Sequence, residues 1–223
     1  MDVAKRAQAV AVLGGTFNPV HFGHLRSALE LVDHLHLSQL RLMVSARPPH
    51  RDEPQTSAEH RAAMVQLAVD DEPRLICDTR ELARSGPSYT VDSLKALRAE
   101  VGQEMPLLLV VGGDAVQGLT GWSRWQALLD YAHLVVVARP GFTLPRGGEL
   151  GDWLTSHEAG LPGDLFDVPQ GRVYLESLRP LPISATEIRA LLQSGKSARY
   201  LLPDSVLDYI NQHELYTGRS PTT

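Results

Sequence analysis

At 223 residues and 43% hydrophobic, the chain is long enough to bury a substantial core and its length favours one domain, which excludes a disordered tail and a disulfide-stapled miniprotein. Lysine and arginine number 21 against 26 aspartates and glutamates, a formal charge of −5, so there is no global basic footprint for a nucleic-acid polymer and any phosphate site has to be local. The one cysteine, Cys77, has no partner for an internal disulfide and sits in an apolar run, which suits a reducing cytoplasm and gives it no further role.

In chain order, Lys5 and Arg6 followed by Ala7 to Leu13 imitate a signal peptide, but Gln8 interrupts the apolar part and secretion is rejected. No apolar run approaches the roughly 18 residues that span a bilayer, so the expectation is a soluble protein with no membrane partner. Short apolar runs predict strands at Ala9 to Leu13, Leu40 to Ser45, Arg74 to Cys77, Leu107 to Val111, Leu134 to Ala138 and Val173 to Glu176. Helical periodicity falls between them, at Leu25 to Leu37, Ala58 to Val69, Thr90 to Val101, Trp122 to Tyr131 and Ile188 to Leu192. Near-continuous apolar strands alternating with helices predict a doubly wound, mainly parallel α/β sheet of Rossmann type, in which ligands sit beyond the carboxyl ends of the strands. Pro140 to Gly171 reads as a surface excursion with one short helix around Leu150 to Glu158, and Pro180 to Tyr216 as a helical tail with a start signal at Pro203. The expected organisation is one domain over residues 1–223, with its core at about 8–180 and a small helical C-terminal portion at about 181–216.

Two motifs carry chemistry. After the first strand comes Gly14-Gly15-Thr16-Phe17-Asn18-Pro19-Val20-His21-Phe22-Gly23-His24, where paired glycines permit a tight turn and bring main-chain N–H groups close to an anion. His21 and His24, three apart at a helix start with Gly23 leaving room for a ligand between them, share a face and can donate to the oxygens of an α-phosphate. Neither a three-glycine dinucleotide fingerprint nor a Gly-Lys-Ser/Thr P-loop is present. Late in the chain, Ile183-Ser184-Ala185-Thr186-Glu187-Ile188-Arg189 opens a helix: Ser184 and Glu187 form a capping box, and Thr186 and Arg189 share a polar face at its positive end.

The first motif resembles the signature of the nucleotidylyltransferase superfamily, whose His-x-Gly-His element is shared with class I aminoacyl-tRNA synthetases, and the second resembles the superfamily's Ile-Ser-x-Thr-x-x-Arg element. Within that superfamily the chain is similar, from Val10 to about Tyr216, to the bacterial nicotinate-nucleotide adenylyltransferase family. Four further segments carry the similarity: Pro48-Pro49-His50-Arg51, Pro87-Ser88-Tyr89-Thr90 with Ser88 as helix cap, Gly112-Gly113-Asp114, and Trp122 followed by Trp125. Trp125 itself reads as core, and Asn18 departs from the aspartate of many relatives at a position that shapes the turn.

The resemblance implies transfer of AMP from ATP to nicotinate mononucleotide, by direct in-line attack without a covalent enzyme intermediate, forming nicotinate adenine dinucleotide and pyrophosphate in NAD biosynthesis. It implies catalytic roles for His21, His24 and Arg189, and ATP or phosphate binding by Gly14, Gly15, Thr16, Phe17, Gly112, Asp114, Ile183, Ser184 and Thr186. Nicotinate mononucleotide would meet His50, Arg51, Tyr89, Thr90, Trp122 and Arg139. Mg2+ is expected to arrive with the ATP phosphates and not in a protein cage. The sequence leaves monomer and homodimer equally open. The competing assignments are a phosphopantetheine adenylyltransferase or cytidylyltransferase, which share the first motif, a synthetase fragment, for which the Lys-Met-Ser-Lys-Ser loop is absent, and a catalytically silent nucleotide-binding regulator.

Overall fold

The computed structural model describes residues 9–48, 54 and 56–217. Six strands form one sheet: β1 (Val10–Gly15), β2 (Gln39–Val44), β3 (Leu75–Asp78), β4 (Leu107–Gly112), β5 (His133–Ala138) and β6 (Val173–Ser177). Every pairing is parallel and the order is β3-β2-β1-β4-β5-β6, the doubly wound arrangement of a Rossmann-type α/β fold. Strand order reverses between β1 and β4, so loops leaving their carboxyl ends diverge and open a crevice.

The central strands β1, β4 and β5 are largely apolar on both faces because both faces are covered, whereas β2, β3 and β6 carry polar residues such as Arg41, Asp78 and Glu176. Ala9, Ala11, Leu40, Leu42, Leu108 and Val110 point into one cluster, together with residues of α1 (Phe22–Leu35) and α2 (Ala58–Val69). Their neighbours Val10, Val12, Met43, Leu107, Leu109 and Val111 point into the other, against α3 (Thr90–Val101). The C-terminal helices α6 (Ala185–Gln193) and α7 (Asp204–Gln212) join the first cluster through Ile188, Val206, Leu207 and Ile210. Between α3 and α6 come α4 (Gly113–Gln117), directly after β4, and α5 (Gly148–Ser156), followed by a 3-10 turn at Pro162–Phe166. No helix among the described residues is long and apolar enough to cross a membrane.

Three local expectations change. The segment Trp122 to Tyr131 is not one α-helix but 3-10 turns at Leu119–Gly121 and Trp125–Asp130, because Arg124 takes a left-handed conformation (φ 53°) that interrupts helical propagation. The i, i+3 spacing of Trp122 and Trp125 serves a 3-10 helix as well as an α-helix. The stretch after Pro140 is anchored and not merely superficial: Leu144 and Leu154 are buried in one cluster, Leu165 and Phe166 in the other. α1 begins at Phe22, three residues before Leu25, so both histidines of the first motif lie at its very start.

Two buried arginines tie the ends of the sheet. Arg98, 3% exposed, closes the amino ends by donating to the carbonyls of Gly102, Met105, Tyr131 and Pro169. Arg61, 1% exposed, does the same at the carboxyl ends, where the crevice lies.

Candidate functional site

A cleft of about 1010 Å³ occupies the crevice, large enough for two nucleotides. Gly14, Gly15, Thr16, Phe17, His24, Gly112, Asp114, Tyr89, Thr90, Trp122, Thr186 and Arg189 all line it, so segments scattered over most of the chain converge as expected. His21, Ile183, Ser184 and Arg139 do not line it, and His50 and Arg51 lie outside the described residues.

Gly14 and Gly15 are the last residues of β1, and the positive φ that turns the chain belongs to Phe17 (46°), not to a glycine. Gly15 is nonetheless constrained: a methyl there would meet the Phe17 ring at 2.8 Å, and that ring is buried, 2% exposed. Gly14 has room, with Met43 Cε at 3.8 Å. Only the second glycine is therefore demanded by packing. The Asn18–Pro19 peptide bond that follows is cis.

His21 is the N-cap of α1, with extended backbone and no side-chain capping bond. Its ring stacks on His24, with centroids 3.7 Å apart and planes 26° apart, and Phe17 meets His24 edge-on at 5.1 Å. The stack corrects the expectation of a ligand between the imidazoles: the space beside Gly23 is filled by His21 itself, since a methyl there would come within 2.9 Å of that ring. His24 faces the cleft and His21 backs it. Burial pushes the His21 imidazole down to about 4, and burial together with neighbouring His21 pushes His24 down to about 3. Both rings are therefore neutral at neutral pH, and the Nδ1 atoms of both are buried without a hydrogen-bond partner among the described residues. A neutral imidazole still offers one N–H to a phosphate oxygen, and an arriving polyanion favours the protonated form.

The second motif reaches the first through Asn18. Arg189 Nη1 donates to the Asn18 carbonyl at 2.7 Å, and Nη2 donates to Thr186 Oγ1 at 3.3 Å, so Thr186 and Arg189 do share one face of α6. Ser184 caps this helix by accepting from the Glu187 N–H at 3.1 Å, so its hydroxyl is committed to the cap, and it stands outside the cleft. Ile183, also outside the cleft lining, packs against Gly23, where a methyl would come within 3.3 Å of its carbonyl oxygen. From the C-terminal segment Tyr216 enters the same cluster, donating to Asn18 Oδ1 at 2.5 Å, and burial pushes its phenol up to about 12, so it keeps its proton. Asn18 is a junction of loop, helix and tail.

Opposite this cluster, α3 starts at Thr90 with Tyr89 as N-cap and no side-chain cap. Ser88 is not the cap: its Oγ accepts from the Arg47 N–H at 3.0 Å and its own N–H donates to the Arg47 carbonyl, tying this loop to the one after β2. The uncapped helix start leaves main-chain donors and the positive end of the helix dipole at the cleft wall. Trp122 is half-buried in that wall, whereas Trp125 is core, packed edge-on against Trp153 at 4.9 Å. Asp114 is exposed on the short α4 and makes no capping bond, so among the described residues its carboxylate has no partner. Arg139 is exposed beyond β5, one strand further from the switch point, and for that reason misses the cleft. Sequence reasoning missed Arg61, Tyr216 and Glu81. Glu81 lines the cleft 4% exposed, with Oε1 accepting from Ser93 Oγ at 2.6 Å and Oε2 unpartnered among the described residues. Each lies outside the two motifs, and only their placement in the fold reveals them.

Residues 12–191 match the family model described as "Cytidylyltransferase-like". A protein of Pseudomonas putida (strain W619) named "Probable nicotinate-nucleotide adenylyltransferase" is 48% identical over 216 residues, 97% of this chain and 98% of that one. One of the same name from Cellvibrio japonicus (strain Ueda107) is 50% identical over 207 residues, 93% and 98% of the two chains. The fold is shared with a Plasmodium falciparum nicotinic acid mononucleotide adenylyltransferase complexed with NaAD, at TM-score 0.69 and 16% identity over 94% of this chain and 97% of that one. The chain belongs to the cytidylyltransferase-like family and, within it, to the nicotinate-nucleotide adenylyltransferases.

Proposed function

We propose that this enzyme transfers AMP from ATP to nicotinate mononucleotide, as a cytoplasmic step of NAD biosynthesis. The observation that carries the reading is the facing of two half-sites across one cleft: His24, Thr186 and Arg189 on the β1 side, the uncapped start of α3 with Trp122 on the other. The first half suits a triphosphate, and the second suits a flat ring bearing a carboxylate, which needs N–H donors and a stacking surface. The names of the relatives support the same acceptor.

The chemistry is an in-line displacement. A 5′-phosphate oxygen of nicotinate mononucleotide forms a bond to the α-phosphorus of ATP while the bond from that phosphorus to the β-bridging oxygen breaks and pyrophosphate leaves. No protein nucleophile is required, so positioning and charge stabilisation supply the acceleration. His24 donates to an α-phosphate oxygen, His21 holds the His24 ring by stacking, and Arg189 with Thr186 meets the departing phosphates. Magnesium belongs to this proposal as the companion of the triphosphate, neutralising its charge with phosphate and water ligands.

The test is pyrophosphate release with ATP and magnesium, offering nicotinate mononucleotide and nicotinamide mononucleotide in separate reactions. Strong release with the nicotinate form, lost in excess chelator, is expected. Release with neither acceptor overturns the assignment.

A further inference from the structure

Arg61 lies on α2, outside both motifs, and heads the fully buried side chains by volume. Among the described residues its guanidinium donates only to main-chain carbonyls: Nη1 to Thr16 and to Ser45, both at 2.7 Å, Nη2 to Ala46 at 3.2 Å and Nε to Thr56 at 3.2 Å. These belong to the exit of β1, the exit of β2 and the approach to α2, the three segments that frame one side of the cleft. The Thr16 bond has a consequence for the next residue. A trans peptide is planar with C=O and N–H pointing in opposite directions. A Thr16 carbonyl held towards the buried Arg61 therefore turns the Phe17 N–H away from Arg61. Thr16 and Phe17 both line the cleft, and the Phe17 N–H donates to nothing among the described residues. Phe17 also has the left-handed φ of 46°, a conformation that a phenylalanine keeps only when its surroundings impose it.

We infer that Arg61 is a positioning residue for the triphosphate: by gripping the Thr16 carbonyl it presents the Phe17 N–H to a phosphate oxygen. The inference deepens the proposed reaction and rests on that reading for the identity of the nucleotide, though not for its acceptor. Arg98 is the internal control, a similarly buried arginine that among the described residues binds only carbonyls, but at the amino ends of the strands, away from the cleft.

Two measurements test it. With 15N-phenylalanine labelling, the four phenylalanines give a simple amide spectrum, into which inorganic tripolyphosphate is titrated. The wild-type Phe17 amide is expected to shift on binding, and Arg61→Lys, which keeps the charge but loses the fork, to weaken that shift. In steady-state assays of the folded variant, KM for ATP is expected to rise about tenfold while KM for nicotinate mononucleotide stays within about twofold, and Arg98→Lys to lower thermal stability without moving either KM. A wild-type Phe17 amide that ignores tripolyphosphate overturns the inference even if no Arg61 variant folds. So does an Arg61→Lys enzyme with unchanged KM for ATP, or an Arg98→Lys enzyme with an equal rise. Failure of the acceptor reading is distinguishable, because it removes wild-type pyrophosphate release and leaves the tripolyphosphate titration intact.

Discussion

His24 is built at a cost to stability. Its Nδ1 is buried without a partner among the described residues, and an unsatisfied buried polar atom costs about 1–3 kcal/mol. Replacing the ring by a methyl removes that penalty and loses packing against Phe17 and His21, two terms of opposite sign. His24→Ala is therefore expected to change the melting temperature little while pyrophosphate release falls by about two orders of magnitude, the worth of one positioned donor. Thermal unfolding and the release assay together check it, and a variant that loses activity only in proportion to lost folded protein contradicts the role. Tyr216 is a different kind of residue. Tyr216→Phe strips the donor from Asn18 Oδ1 and leaves that acceptor inside the cluster, so a loss of about 1 kcal/mol in chemical denaturation is expected, with no recovery at high ATP if the bond is structural alone. Neither effect is legible in the sequence: a lone tyrosine near the end of the chain has no spacing that announces it. The motif histidines were legible because Gly23 and the glycine pair punctuate them, yet their stacking was not, since sequence spacing fixes a shared face and not the rotamers on it.

At the scale of elements, α6 has only nine residues, too short to hold itself without its cap and its contacts. The Ser184 hydroxyl is its one side-chain cap, and Arg189 hangs from its second turn towards Asn18. Ser184→Ala is expected to cost about 1 kcal/mol, lowering the melting temperature by about 2–4 °C. Fraying of the first turn also displaces Thr186, so KM for ATP should rise while KM for the acceptor stays put; equal KM values in variant and wild type refute the coupling of cap to site. The Ser184 half of the expected capping box was readable from its interval to Glu187, but the return bond from the Glu187 side chain is not formed among the described residues. The cap of α3 was misassigned for an equally physical reason: Ser88 has a capping residue's chemistry, but the Arg47 main chain claims its hydroxyl, and that partner lies 41 positions away. The central strands β1, β4 and β5 were legible because burial on both faces makes them nearly continuous apolar runs, and β2, β3 and β6 were legible from shorter apolar stretches interrupted or ended by Arg41, Asp78 and Glu176. The segment after β4 was not, because Gly112, Gly118 and Gly121 break it into pieces too short for a period to emerge.

For the whole molecule, the decisive feature is the sheet order, which places the exits of β1 and β4 side by side and lets Arg189 reach Asn18 across 171 positions of sequence. Alternation of strands and helices predicts such a sheet, and the switch point follows from it; the long-range hydrogen bonds that close the cleft do not. The fold also buries neutral imidazoles, and that sets its response to acid. His133, fully buried at the start of β5, accepts from the Arg172 N–H at Nδ1, so Nε2 carries the proton and donates to the Val168 carbonyl. Protonating Nδ1 breaks the first bond, and burial, the main cause, pushes this ring down to about 4, alongside His21 at about 4 and His24 at about 3. In the unfolded chain each returns to about 6.5, so between that value and 4 the unfolded state binds more protons than the folded one. The stability these histidines contribute is therefore complete above about pH 6.5 and is lost as the pH falls, on the order of 2 kcal/mol for His133 alone by pH 5. Urea denaturation at pH 7 and pH 5 measures it, above the range where most carboxylates titrate. His133→Asn is expected to be less stable than wild type at pH 7 and to lose less on going to pH 5; an equal loss in both proteins would show that the buried imidazole does not govern the acid response.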